Sequence, residues 1–368
     1  MPGLPRALWP AMAGAMLAAP MNAANATDAP TITPDQAGSL NASLVRMGLL
    51  AEGESACFEP LSGGVSSLIV RADTRAGPLC VKQALARLRV AALWEAPVER
   101  NTAEAGWLRE AARVIPGAVP VVLGEDSESR SFAMPWLDPA AHPVWKAQLR
   151  DGRIDAAFAA AVAANLVKVH AATAGREDLA RGFANDASFH ALRLEPYLLT
   201  AARAHPDVAP VLGALAATTA ATRLALVHGD VSPKNILAGP DGPVLLDAEC
   251  ACYGDPAFDI AFLCNHLLLK CAWRPQWRAR YLASYSACVA SYLAGVDWEP
   301  RERIEARAAA LLPALFLARV DGKSPVEYLT DEAWRGRVRR VARALLAAPV
   351  ARLEDVARAW RDELEQSA

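Results

Sequence analysis

The chain has 368 residues, with 38 Lys and Arg against 40 Asp and Glu and a formal net charge of −2, so it has no basic field with which to hold nucleic acid or an anionic membrane. That length exceeds one ordinary core, which predicts two lobes. A composition of 53% hydrophobic and 21% charged residues, rich in Ala and Leu, describes a helix-heavy globular protein and excludes large disordered tracts. Its expected partner is a small molecule, with no stable membrane association, and its expected state is a monomer or homodimer.

Residues 1–34 form an Ala/Pro/Asn/Thr-rich extension without periodicity. Its start imitates a secretory signal: Arg6, an apolar run from Ala7 to Ala19, then Ala24-Asn25-Ala26. Pro10 breaks that run, and a start at Met21 would open a polar leader suited to the cytosol. The seven cysteines have no regular spacing and favour a reducing compartment. The expectation is a cytoplasmic protein with a disordered or signal-like extension that an upstream start accounts for.

Asp35 reads as the N-cap of a helix with Leu40, Leu44 and Met47 to Leu50 on its apolar face. In "FEPLSGGVSSLIVRADTRAGPLCVKQAL" the runs Leu68 to Val70 and Leu79 to Val81 predict a hairpin turning at Gly-Pro. "VERNTAEAGWLREAARVI" predicts a helix with Ala103, Trp107, Leu108 and Ala111 on one face. Strands are predicted at Val119 to Leu123 and Ser131 to Trp136, divided by the turn "GEDSES". Beyond "MPWLDPAAHP" the texture becomes alanine-rich helix, clearest from Ile154 to Ala172, with further helices from Ala187 to Thr222 and to the C-terminus. The fold class is therefore α+β, with a small antiparallel-sheet lobe over residues 35–137 and a large, mainly helical lobe over 138–368.

"LVHGDVSPKNIL" sets a polar loop between two apolar runs that read as buried strands, a placement suited to catalytic groups. Asp230 and Asn235 are followed by Asp247 at the end of "PVLLD". Phosphoryl transfer to a hydroxyl needs such a set: a carboxylate to orient the hydroxyl and take its proton, plus an amide oxygen and a second carboxylate as hard ligands for Mg²⁺. Lys82, ending "LCVK", can reach the phosphates as a point charge. Glu104 is its best anionic partner and Glu110 the second. No Gly-x-Ser-x-Gly elbow points to a hydrolase.

"HGDVSPKN" followed by "LLDAECACYGDPAFDIAF" resembles the catalytic loop and metal-binding segment of the aminoglycoside phosphotransferase family, within the protein-kinase-like fold. The matching residues are His228, Gly229, Asp230, Asn235, Asp247, Gly254, Asp255, Pro256 and Asp259. "VKQALARLRVAALWEAPVERNTAEA" and the pair Asp247 and Glu249 are similar to methylthioribose kinases, whose second catalytic-loop His is replaced here by Ser232.

The resemblance implies a two-lobe kinase that uses ATP and Mg²⁺ to phosphorylate a hydroxyl of a sugar-like metabolite. Asp230 would act on that hydroxyl, with Ser232 nearby. Asn235, Asp247 and Glu249 would hold metal, and Lys82 and Glu104 would position the nucleotide. "LSGGVSS" would cover the phosphates through Gly63, Gly64 and Ser66 or Ser67, and Met134, Trp136 and Leu137 would form the hinge beside adenine.

The alternatives are an aminoglycoside or amino-alcohol acceptor, which calls for an acidic pocket, and a non-catalytic nucleotide-binding module. His228 reads as a loop brace, and Asp259 as a partner of the loop backbone or a helix cap. Cys250, Cys252, Cys264, His266 and Cys271 read as buried side chains in preference to a zinc site. The polar stretch "LARVDGKSPVEYL" marks Arg319 as a substrate contact, since the C-terminal helices of such kinases line the acceptor pocket.

Overall fold

The computed structural model describes residues 31–61, 67–85 and 100–366. The first helix, Pro34–Arg46, is capped by Thr33 and not by Asp35. The Thr33 hydroxyl accepts from Gln36 N (3.3 Å) while the Gln36 side chain accepts from Thr33 N (3.0 Å). This reciprocal box satisfies two otherwise orphaned donors, and Asp35 complements the helix dipole from the first turn. Leu40 and Leu44 pack with Leu68, Val70, Ala72, Val81 and Ala133 as the core of the small lobe.

Those core residues belong to a five-stranded antiparallel sheet of order β1-β2-β3-β5-β4. Its strands are β1 (Cys57–Pro60), β2 (Ser67–Thr74), β3 (Gly77–Ala84), β4 (Gly124–Asp126) and β5 (Ser131–Pro135). The predicted hairpin forms, but it turns at Arg75 and Ala76, and Gly77 and Pro78 already lie in β3. Gly77 has a φ of +124°, which only glycine adopts at low cost. Val119 to Leu123 is not a strand. Val121 and Leu123 are exposed, and pairing with β5 starts at Gly124, where a Cβ would sit 2.8 Å from the Met47 side chain.

The large lobe is built on four long helices: Ala156–Thr173, Pro256–Trp273, Arg278–Ala294 and Arg301–Asp321. Asp155 caps the first by accepting from Ala157 N (2.8 Å). Leu166, Phe258, Phe262, Leu315, Phe316 and Trp360 lie in one continuous core. Every residue from Pro256 to Ala272 is buried, so the polar side chains of that helix point into protein. Between Asp186 and Ala221 the chain includes a π-helix, His190–Leu199, in which Pro196 has no N–H to donate. The wider helical turn buries Arg193 and Tyr197.

Two short antiparallel strand pairs lie between the lobes' cores: β6 (Ala225–Val227) with β9 (Cys252–Gly254), and the hairpin of β7 (Ile236–Gly239) with β8 (Gly242–Leu245). They fix both ends of the loop at 228–235 and of the segment at 246–251. A second core, with Trp107, Leu108 and Phe132 from the small lobe against Val169, Leu226 and Tyr253, ties the lobes together. The result is the expected α+β arrangement of a small antiparallel-sheet lobe on a large helical lobe.

Candidate active site

The loop 228–235 is shaped by one glycine and one buried carboxylate. Gly229 has a φ of +77°, and a Cβ there would lie 2.7 Å from the Cys250 carbonyl oxygen. Gly229→Ala is therefore expected to cost about 2 kcal/mol or more, read as a lowered Tm. A wild-type Tm in that variant would show that the close approach is not needed. Asp259 accepts from His228 N (2.7 Å), Gly229 N (2.8 Å) and His170 Nε2 (3.1 Å). Burial opposes its charge, but His170 and these donors hold the carboxyl below its ordinary value. Asp259 thus binds the loop backbone, while the cap of helix Pro256–Trp273 is Asp255, which accepts from Ala257 N (3.0 Å).

His228 is a brace. Its Nε2 meets the Leu246 carbonyl (3.0 Å) and its Nδ1 accepts from Asp230 N (3.2 Å), which assigns the Nε2–H tautomer. Its ring meets Trp107 edge-on with centroids 4.7 Å apart, and burial keeps it neutral by lowering its pKa. Leu246 N in turn donates to the Asn235 carbonyl (2.9 Å), so the loop and the Asp247 segment are laced together.

Asp230 is buried, and its Oδ2 takes three donors: Asn235 Nδ2 at 2.8 Å, Arg193 at 3.0 Å and Lys234 at 3.2 Å. Its Oδ1 has no hydrogen bond or ion pair among the described residues. Asn235 also donates to the Asp230 carbonyl (3.0 Å). A flipped amide would put oxygen against carboxylate, so Nδ2 must face Asp230 and Oδ1 must face away. Neither Arg193 nor the role of Lys234 was read from the sequence. Arg193 occurs once in an otherwise ordinary helical pattern, and only folding brings it to Asp230.

Lys82, on β3, is buried between Glu104 (2.6 Å) on helix Arg100–Val114 and Asp247. Burial disfavours its charge, but Asp247 and Glu104 overcome that and hold the ammonium above its ordinary value. Burial likewise opposes the Asp247 carboxylate, yet Lys82 and Lys234 keep it well below the usual range. Glu104 is pushed up to about 7 by burial against the pull of Lys82. Asp247 has a φ of +66°, in the left-handed region that Asp and Asn tolerate best among residues with a Cβ. Glu249 is buried and faces Arg100 Nε at 3.3 Å.

Met134 is on β5, followed by Trp136 and Leu137, all half-buried; the Arg71 guanidinium lies over the Trp136 ring at 5.2 Å. Gly63, Gly64 and Ser66 lie outside the described residues. Ser232 and Arg319 share with Asp230 the wall of one cavity of about 180 Å³. Two wall residues that the sequence reading did not assign to a substrate, His266 and Lys270, come from the buried helix Pro256–Trp273. The available signal was a lone Lys in the apolar run "LLLKCAW".

A buried lysine bound by two carboxylates from different lobes, next to a loop carboxylate and an outward-facing amide oxygen, suits phosphoryl transfer. The protein is a small-molecule phosphotransferase. The chain belongs to the phosphotransferase enzyme family, whose model matches residues 58–298. That match carries the family and not the narrower likeness to methylthioribose kinases.

No curated protein matches the chain. Among solved structures it is similar to a choline/ethanolamine kinase family protein from Mesorhizobium loti, at 20% identity and a TM-score of 0.47, over 88% of this chain and 99% of that one. A spectinomycin phosphotransferase solved with ADP and spectinomycin is 13% identical with a TM-score of 0.42, over 89% and 99%. An amicoumacin kinase solved with AMP-PNP and Ca²⁺ is 12% identical with a TM-score of 0.46, over 84% and 88%.

Proposed function

We propose that the protein is an ATP-dependent kinase that uses a divalent cation, Mg²⁺ in the cell, to phosphorylate a hydroxyl of a small metabolite. The observation that carries this reading is the single cluster formed by Lys82, Glu104, Asp247, Asn235 and Asp230. ATP with its cation would supply the γ-phosphoryl group and neutralise charge on the phosphates. The residues fit that load: Asn235 Oδ1 is turned away from its own loop, and Glu249, ion-paired with Arg100 at 3.3 Å, makes no hydrogen bond through its buried Oε2 among the described residues. Asn235 and Asp247 would hold the metal, with Glu249 assisting.

Lys82 would meet the phosphates, and Glu104 keeps it in place. Met134, Trp136 and Leu137 would border adenine, and Gly63, Gly64 and Ser66 would cover the phosphates. Asp230 Oδ1 would accept the acceptor's hydroxyl proton as the acceptor oxygen bonds to γ-phosphorus and the bond to ADP breaks. Oδ2 stays clamped by Asn235, Arg193 and Lys234, so the carboxylate cannot swing away. Ser232 and Arg319 would contact the acceptor.

A sugar-like acceptor is what the likeness to methylthioribose kinases implies, and aminoglycosides and amino alcohols are the alternatives. All seven cysteines are free and six are buried, which fits work in the reducing cytoplasm. The test is ADP formation by purified protein with ATP and Mg²⁺ across sugars, thio-sugars, sugar acids, amino alcohols and aminoglycosides. Acceptor-dependent ADP release with a phosphorylated product is the expected result. ATP binding with no transfer to any acceptor class would favour the non-catalytic module.

A further inference from the structure

We propose that the acceptor is a small hydroxylated anion whose negative group, a carboxylate or phosphate, is bound by Lys270 and Arg319 in the cavity beside Asp230. This rests on the kinase reading for the hydroxyl and adds the chemistry of the rest of the molecule.

Lys270 is only 1% exposed, on a helix buried along its whole inner length. Its Nζ makes no hydrogen bond or ion pair among the described residues. Its neighbours are the rings of Tyr328 (5.0 Å) and Trp273 (5.5 Å). Burying a lone ammonium costs several kcal/mol, and two ring contacts return only part of that. Burial, then Lys146 and Arg319, pull its pKa down to about 7, with only Glu327 opposing.

Arg319 has the same shortage of anions. It donates to the Tyr197 hydroxyl (3.2 Å) and to Ser324 and lies over the Tyr197 ring (5.6 Å); among the described residues it pairs with no carboxylate, and its buried Nε has no hydrogen-bond partner. Two other arginines of the lobe, the buried Arg193 and the half-buried Arg307, are neutralised. Arg193 has Asp230, and Arg307 has Asp255 and Glu299.

The acids in the cavity wall do not correct the imbalance. Asp230 is already shared by Arg193 and Lys234, and Glu327 is engaged by Lys146 at 2.5 Å. Ser232 Oγ and Tyr328 Oη are buried without hydrogen-bond partners among the described residues, adding two hydroxyls to two cations. Such a set is complete only with an anion bearing further oxygens. It disfavours a cationic amino alcohol or aminoglycoside, because like charges would meet in a desolvated site. At about 180 Å³, the cavity is also below the roughly 300 Å³ at which drug-sized pockets begin. The nucleotide is not the anion in question, since neither Lys82, Asp247 nor any other described residue of the small lobe lines the cavity.

The test is phosphoryl transfer from ATP–Mg²⁺ to size-matched probes: D-glycerate, glycerol 3-phosphate, glycerol and choline, with D-gluconate against D-glucose as a longer pair. Anionic members are expected to exceed their neutral counterparts in kcat/KM by roughly 10- to 100-fold, the worth of a hydrogen-bonded charge. Whether glycerate or glycerol 3-phosphate leads decides between carboxylate and phosphate. Lys270→Met is expected to raise the KM for the anion by roughly the same factor with the KM for ATP unchanged, and Lys270→Arg to restore part of it.

Preference for glycerol, glucose or choline would overturn the proposal while leaving the kinase reading intact, as would a wild-type anion KM in Lys270→Met. If no probe is phosphorylated, the kinase reading loses support separately. The proposal is then judged from equilibrium binding of D-glycerate and glycerol to wild type and Lys270→Met. Tighter glycerate binding that is lost in the variant supports it, and equal affinities overturn it.

Discussion

Asp230→Asn is expected to lower kcat by roughly 10² or more, the usual worth of a positioned proton acceptor, with little change in ATP affinity. The amide keeps the size of the carboxylate and can still accept from Arg193, but it cannot take the hydroxyl proton. Asp230→Ala should lose as much activity and also stability, because Arg193, 6% exposed, would be left as an unpaired buried charge costing about 3 to 5 kcal/mol. Comparing the two separates chemistry from folding. Turnover near wild type in Asp230→Asn at saturating acceptor would remove Asp230 from its assigned place.

Asp247→Asn is expected to cost on the order of 10³ in kcat/KM for ATP, corresponding to about 4 kcal/mol of lost charge stabilisation. Asn is the informative replacement because it tolerates the φ of +66° at this position, so the backbone need not move. Lys82 keeps Glu104 as its ion pair, so the small lobe should stay folded with an unchanged Tm. The loss should lessen as Mg²⁺ or Mn²⁺ is raised if Asp247 holds metal. A defect of that size that ignores metal concentration would assign Asp247 to positioning Lys82 alone.

The cluster around Asp230 was legible because its chemistry is local. Asp230, Ser232 and Asn235 fall within one loop whose flanking apolar runs mark β6 and β7, and Asp247 follows two residues after the next hairpin ends at Leu245. Lys82 and Glu104 were legible as a pair because a lysine at the end of an apolar strand run needs a carboxylate and few were at hand, and the structure extends β3 past Lys82 to Ala84. Backbone detail was less legible. Val119 to Leu123 has strand composition but faces solvent at two positions, so pairing waits for Gly124, whose missing side chain admits Met47. Thr33 displaces Asp35 as cap because the reciprocal bond from Gln36 satisfies a second donor.

From its residues alone the chain specifies a small sheet lobe and a large helical lobe, a hydroxyl-directed phosphoryl-transfer loop and one partner, Glu104, of its central lysine, since each depends on neighbours in sequence or on one required opposite charge. Tertiary packing decides what joins Ser232 and Arg319 in the wall of the cavity beside Asp230. Arg193 reaches Asp230 from a π-helical turn, and Lys270 and Arg319 line one cavity from two different helices. Whether a charge is neutralised depends on which carboxylates folding brings within a few ångströms, and one-dimensional spacing does not encode that distance.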